Sequence, residues 1–147
     1  FETVLGEAYG NEKEDLCIVA IGAMVPEAMR AACILKEEHG LETRVINPHT
    51  VKPLDTRTIL QAAEDIGRIV TVEEHQTGGF GNVVAGVIAR GKKPGSTLVM
   101  DMIGVDDRFG DSGEPWELTK VFGLSAESIA ERCMKLAGLG GTRIKGR

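Results

Sequence analysis

The sequence predicts an α/β fold: a three-layer α/β/α sandwich around a mostly parallel sheet of about five strands, with room for one antiparallel edge strand. Three observations lead there. Leu16–Ile21 and Ile69–Val72 are short apolar runs rich in β-branched residues, suited to strands buried on both faces. Between them, apolar residues recur at helical spacing, as at Ala28, Ala31, Ala32 and Leu35. Strands that alternate with amphipathic helices imply parallel pairing, with helices on both sides of the sheet.

At 147 residues and 15.7 kDa the chain has the size of one domain with a real core. Aromatic residues make up 4%, so that core must be built from Val, Ile, Leu, Ala and Met. A net charge of -5 argues against non-specific nucleic-acid binding, which needs clustered Lys and Arg. No apolar run approaches the roughly 20 residues that span a bilayer. Cys17, Cys33 and Cys133 lie far apart without metal-ligand spacing, and we expect three buried thiols in a reducing compartment. The chain starts at Phe1 with no signal peptide, so we expect a piece of a longer cytoplasmic protein.

Residues 1–11 read as an arm or edge strand, 12–137 as the domain, and 138–147 as a flexible tail. After Leu16–Ile21, a helix over Glu27–His39 has Pro26 in its first turn and Gly40 to end it. Arg44 opens the next strand. Pro48 and Pro53 stiffen the loop that follows, with His49 anchoring it, and Asp55 caps a helix over Thr56–Ile66. Beyond Ile69–Val72, a helix is expected over 82–89 and a strand over Thr97–Ile103. A polar loop runs over 104–114, and Pro115 opens a short helix that Gly123 stops. Ser125 then caps a last helix with Ala126, Ile129, Ala130 and Cys133 inward.

The candidate site is the stretch 68–81. A buried strand gives way to Glu73, Glu74 and His75, then to a turn on Gly78, Gly79, Phe80 and Gly81, then to a helix. In open α/β sheets, ligands and partners gather at the carboxyl ends of strands. The first strand-helix turn, Gly22–Pro26, has one glycine and lacks the dinucleotide fingerprint, and no phosphate-binding P-loop sequence exists. Glycines at 79 and 81 suit an anion at a helix start, but Glu73 and Glu74 would repel one. His75 beside a carboxylate is the right kind of group for acid-base work, yet no nucleophile is implied nearby. We favour hydrogen bonding at a buried or inter-subunit surface. Gly110-Asp111-Ser112 resembles the start of a metal-diphosphate motif, but the last Asn of the chain is Asn82, so the motif is incomplete.

Several segments, in collinear order, carry a family resemblance. Asn47-Pro-His-Thr-Val-Lys-Pro-Leu-Asp55, Ile69-Val-Thr-Val-Glu-Glu-His75, Gly78-Gly-Phe-Gly81, Ser112–Leu118 and Val121-Phe-Gly-Leu124 together resemble the C-terminal domain of transketolase, over about residues 12–137. Related domains close the beta subunits of 2-oxoacid dehydrogenase decarboxylases and deoxyxylulose-phosphate synthase, and these stand as alternatives. The resemblance implies an enzyme that uses thiamine diphosphate and Mg²⁺ to move a two-carbon ketol unit from ketose to aldose phosphates. It implies that the N-terminal diphosphate-binding and pyrimidine-binding domains hold cofactor and metal, leaving this domain with neither, with no catalytic residue, and inactive alone. Its partners would be those domains, in a homodimer or a split-subunit assembly. Glu73, Glu74, His75, Gly78, Gly79, Phe80 and Gly81 are then candidates for a domain or subunit interface. From a different class come a free-standing module that binds a phosphorylated metabolite at the glycine turn, and an independent enzyme using His75.

Overall fold

A computed structural model describes residues 2–4, 13–105 and 120–139. Its strands are β1 (Glu2–Val4), β2 (Leu16–Ala20), β3 (Thr43–Asn47), β4 (Arg68–Gln76) and β5 (Val99–Val105). Its helices are α1 (Met24–His39), α2 (Thr56–Asp65), α3 (Phe80–Gly91) and α4 (Ala126–Leu136). The strands form one sheet in the order β1-β3-β2-β4-β5. β3, β2, β4 and β5 pair in parallel, and β1 runs antiparallel along the β3 edge, with Val4 opposite Val45. The expected fold class is the observed one.

Because side chains alternate across a strand, the sheet builds two cores. Leu16, Ile18 and Ala20 of β2 and Val70 and Val72 of β4 meet α1 and α4 on one face. Cys17, Val19 and Ile69 meet α2 and α3 on the other. Every residue of β2 is fully buried, which explains its unbroken apolar run. Burying each such side chain contributes on the order of 1.5–3 kcal/mol.

Helix α1 begins at Met24 rather than at Glu27, while its expected stop at Gly40 and the expected caps of α2 and α4 are in place. Gly40 adopts a left-handed φ of 67° and its N–H donates to the Lys36 carbonyl at 3.0 Å. The N–H of Leu41 reaches the Leu35 carbonyl, closing a Schellman motif. Asp55 caps α2 by accepting from the Thr58 N–H at 3.1 Å, and Ser125 caps α4 by accepting from the Ser128 N–H at 3.4 Å. Glu27 of α1 adds a second acceptor for α4, from the N–H of Ala126 at 3.0 Å.

Three further expectations are corrected. Cys33 lies exposed on the outer side of α1, whereas Cys17 and Cys133 are buried. Burial pushes both of those thiols up to about 12, so they stay protonated and inert. Helix α3 starts at Phe80 rather than at residue 82. The last strand begins at Val99 and continues to Val105, because β4 continues as far as Gln76 and β5 follows it. Residues 106–119 and 140–147, with the expected polar loop, the start of the Pro115 helix and the metal-motif fragment, lie outside the described residues.

Candidate functional site at the end of the central strand

Strand β4 sits between β2 and β5, so its carboxyl end opens in the middle of the sheet. The chain crosses from β3 at one side of β2 to β4 at the other, which makes the gap between β2 and β4 the topological switch point. The turn into α1 (Ile21 to Ala23) and the turn into α3 (Thr77 to Gly79) border this gap.

Period-2 geometry splits the two glutamates. Glu73 continues the inward face of Ile69 and Thr71 and is 1% exposed. Its carboxylate accepts the N–H of Phe80 at 2.7 Å and the N–H of Gly81 at 3.1 Å. These are first-turn donors of α3, left without intrahelical partners, and the helix macrodipole favours a negative charge there. Glu74 points to the opposite face and is exposed. Its Oε1 lies 3.7 Å from where a Cβ on Gly22 would sit, above the entry to α1. His75 is exposed beside it.

The glycines of the turn have separate causes. Gly78 has a φ of 99°, open to glycine at little cost. Gly81 lies where α3 meets the sheet: a Cβ there would come within 2.8 Å of Thr71 Oγ1 and 2.9 Å of Met102 Sδ. On β5, a Cβ on Gly104 would stand 2.8 Å from the His75 carbonyl oxygen. That glycine lets the last residues of β4 bulge between Val72 and Gln76 without losing β5. Thr77 fixes the far side of the bulge, its N–H donating to the Val105 carbonyl at 2.9 Å.

Glu73, Phe80 and Gly81 are therefore turned into the fold, while Glu74, His75, Thr77 and Gly79 are exposed along its rim. His39 and His49 are both exposed, His49 Nδ1 standing 2.9 Å from Thr50 Oγ1. The inward turn of Glu73 was open to sequence reading only through its alternation with Ile69 and Thr71.

The residues at this turn do not fit a diphosphate. The first-turn amides of α3 that would cradle one already hold Glu73, and a second anion would face that carboxylate and Glu74. Among the described residues no group of three His, Cys, Asp or Glu side chains is placed to hold a metal ion. Nor is any helix among them long and apolar enough to cross a membrane.

Comparison with known proteins decides the family. The model of the transketolase C-terminal domain matches residues 8–129. The chain belongs to the transketolase C-terminal domain family. A Methanocaldococcus jannaschii protein that carries the name of a transketolase C-terminal section is 45% identical over 123 residues, covering 83% of this chain and 37% of that protein. The 1-deoxy-D-xylulose-5-phosphate synthase of Thermomicrobium roseum is 44% identical over 125 residues, covering 84% of this chain and 19% of the synthase. A solved split-gene transketolase, described as an inactive beta4 tetramer, superposes with a TM-score of 0.76 at 33% identity. That match covers 88% of this chain and 41% of the solved one. This transketolase C-terminal-type domain thus spans well under half the length of each of these relatives.

Proposed function

We propose that the chain is an assembly domain of a thiamine-diphosphate-dependent transketolase, one that moves a two-carbon ketol unit from ketose to aldose phosphates in the cytoplasm. The chain catalyses no step alone. It docks against the diphosphate-binding and pyrimidine-binding domains of the same enzyme and also pairs with a second copy of itself. The rim of Glu74, His75, Thr77 and Gly79 is the surface that meets those other domains.

One observation carries this reading: Glu73 occupies the α3 amides, so the glycine turn is a rigid, internally satisfied ridge. A free-standing phosphometabolite module would need those donors for its ligand, and is disfavoured for that reason. The description of the solved split-gene relative as a beta4 tetramer supports pairing between copies. The 44% identity to a deoxyxylulose-phosphate synthase supports a second enzyme for the same assembly role.

The test mixes the chain with the upstream domains from the same source, thiamine diphosphate and Mg²⁺. Ketol transfer in the mixture and none with either part alone is the expected result. Formation of 1-deoxy-D-xylulose 5-phosphate instead would assign the chain to the synthase. Turnover by the lone chain would overturn the assembly role.

A further inference from the structure

The two edges of the sheet are built differently. The β3 edge carries β1, three residues long and antiparallel, and a very short edge strand offers little to an added chain. The other edge is β5, seven residues long, which among the described residues pairs with β4 alone. Its sequence, Val99-Met-Asp-Met-Ile-Gly-Val105, has no Pro and a single charge, at Asp101. A window of this composition on a sheet edge invites pairing with another chain.

Alternation along the backbone fixes which groups face outward. The Val99 N–H donates to the Gly67 carbonyl at 3.0 Å, and the Val105 carbonyl accepts from the Thr77 N–H at 2.9 Å. Odd-numbered residues of β5 therefore bond toward β4, and the N–H and carbonyl of Met100, Met102 and Gly104 point away from it. Met102 is the middle one of these three, and both of its groups are engaged. Its N–H donates to Asp101 Oδ1 at 2.9 Å, and its carbonyl accepts from Arg132 Nη2 at 3.5 Å. The two side chains also hold each other. Arg132, on α4, donates from Nε to Asp101 Oδ2 at 2.7 Å and from Nη2 to Asp101 Oδ1 at 2.5 Å. Forked pairing of this kind fixes geometry, whereas a partly exposed ion pair contributes little to stability. What this pair adds is its position, at the centre of the edge.

We infer that the Asp101–Arg132 pair is an edge guard: it occupies the outward backbone groups of Met102 and so bars an extended segment from adding to β5. The segment it excludes above all is the same strand of a second copy. Set antiparallel about Met102, two β5 strands would exchange the Met102 N–H and carbonyl in one hydrogen-bonded pair. Both groups are already taken, and a charged pair lies along the line that the second strand would follow. Strand addition is excluded from this edge, whatever other surfaces the domain docks by. The inference concerns β5 alone and does not depend on the assembly role.

Amide hydrogen exchange of Met102 over a range of protein concentrations, with sedimentation of the same samples, tests this. The proteins are the unmodified chain, the double variant Asp101→Ala with Arg132→Ala, and that variant with Val99→Lys added. The double variant keeps the net charge, and Val99 is 48% exposed, so a lysine has room there. In the unmodified chain the Met102 amide should be protected, at a rate that does not change with concentration. In the dilute double variant it should exchange about tenfold faster or more, from loss of one hydrogen bond to a charged group. As concentration rises, that variant should associate and the protection of Met102 should return. Val99→Lys places a charge on the same edge and should abolish this association while the amide stays fast. A folded double variant whose Met102 exchange is the same at every concentration would overturn the inference, as would association that Val99→Lys leaves unchanged. If circular dichroism shows the double variant unfolded, Arg132→Ala alone decides, since that side chain is 45% exposed. Added association that Val99→Lys removes supports the guard, and no added association overturns it. Pairing through any other surface leaves the Met102 rate unchanged, so this outcome is read separately from the assembly role.

Discussion

Helices α2 and α3 begin in opposite ways. The cap of α2 is local: Asp55, one residue before the helix, accepts from both the N–H and the hydroxyl of Thr58, the latter at 2.8 Å. The start of α3 is flanked by glycines, with no side-chain cap from Gly79 itself. Its donors are met instead by Glu73 on strand β4, buried beneath the helix. The local cap stabilises one helix end, whereas the distant cap ties a helix to the central sheet and sets the height of the turn between them. A buried carboxylate at a strand end can thus be structural, even where active sites usually lie.

The largest effect should come from breaking the distant cap. Glu73→Ala leaves two buried amides without acceptors and a cavity, and should cost about 3–5 kcal/mol in urea unfolding. A loss below about 1 kcal/mol would show that water replaces the carboxylate easily. Next comes the packing under the same turn. Gly81→Ala should destabilise by about 1–3 kcal/mol from overpacking against Thr71 and Met102, less up to about 1 kcal/mol of helix propensity. A net gain in melting temperature would mean that those side chains move aside freely.

Asp55→Ala should cost less, about 1 kcal/mol. Hydrogen bonds from the Thr58 backbone, then from its hydroxyl, hold the Asp55 carboxyl below its ordinary value. A folded-state value below the unfolded one contributes stability above the unfolded value, lost as pH falls through the folded one. The difference in melting temperature between Asp55→Ala and the unmodified chain should therefore be full near neutral pH and shrink in acid. A difference that grew on acidification would contradict the cap.

The same contrast separates what the sequence reveals from what it conceals. Asp55, Ser125 and Gly40 act within a few residues of themselves, so their roles were visible in the chain. The unbroken run Leu16–Ala20 likewise announced a strand covered on both faces. Glu73 acts seven and eight residues away, through a turn whose geometry depends on β5. Taking Glu73, Glu74 and His75 together as hydrogen-bonding groups at a buried or inter-subunit surface did not separate the first, which alternation sends inward, from the other two. Phe80 and Gly81 belong to α3 because Glu73 satisfies their amides, a contact that helical periodicity does not record. The outward position of Cys33 was missed because a small thiol suits either side of a helix.

The most direct measurement is calorimetric binding of the chain to the upstream domains, for the unmodified protein and for Glu74→Ala combined with His75→Ala. Both side chains are exposed, so the double variant should fold with stability changed by no more than about 0.5 kcal/mol per substitution. Its affinity for those domains should fall about tenfold or more. Undiminished binding would contradict the central claim, because the rim that Glu73 supports would then not be the surface that docks.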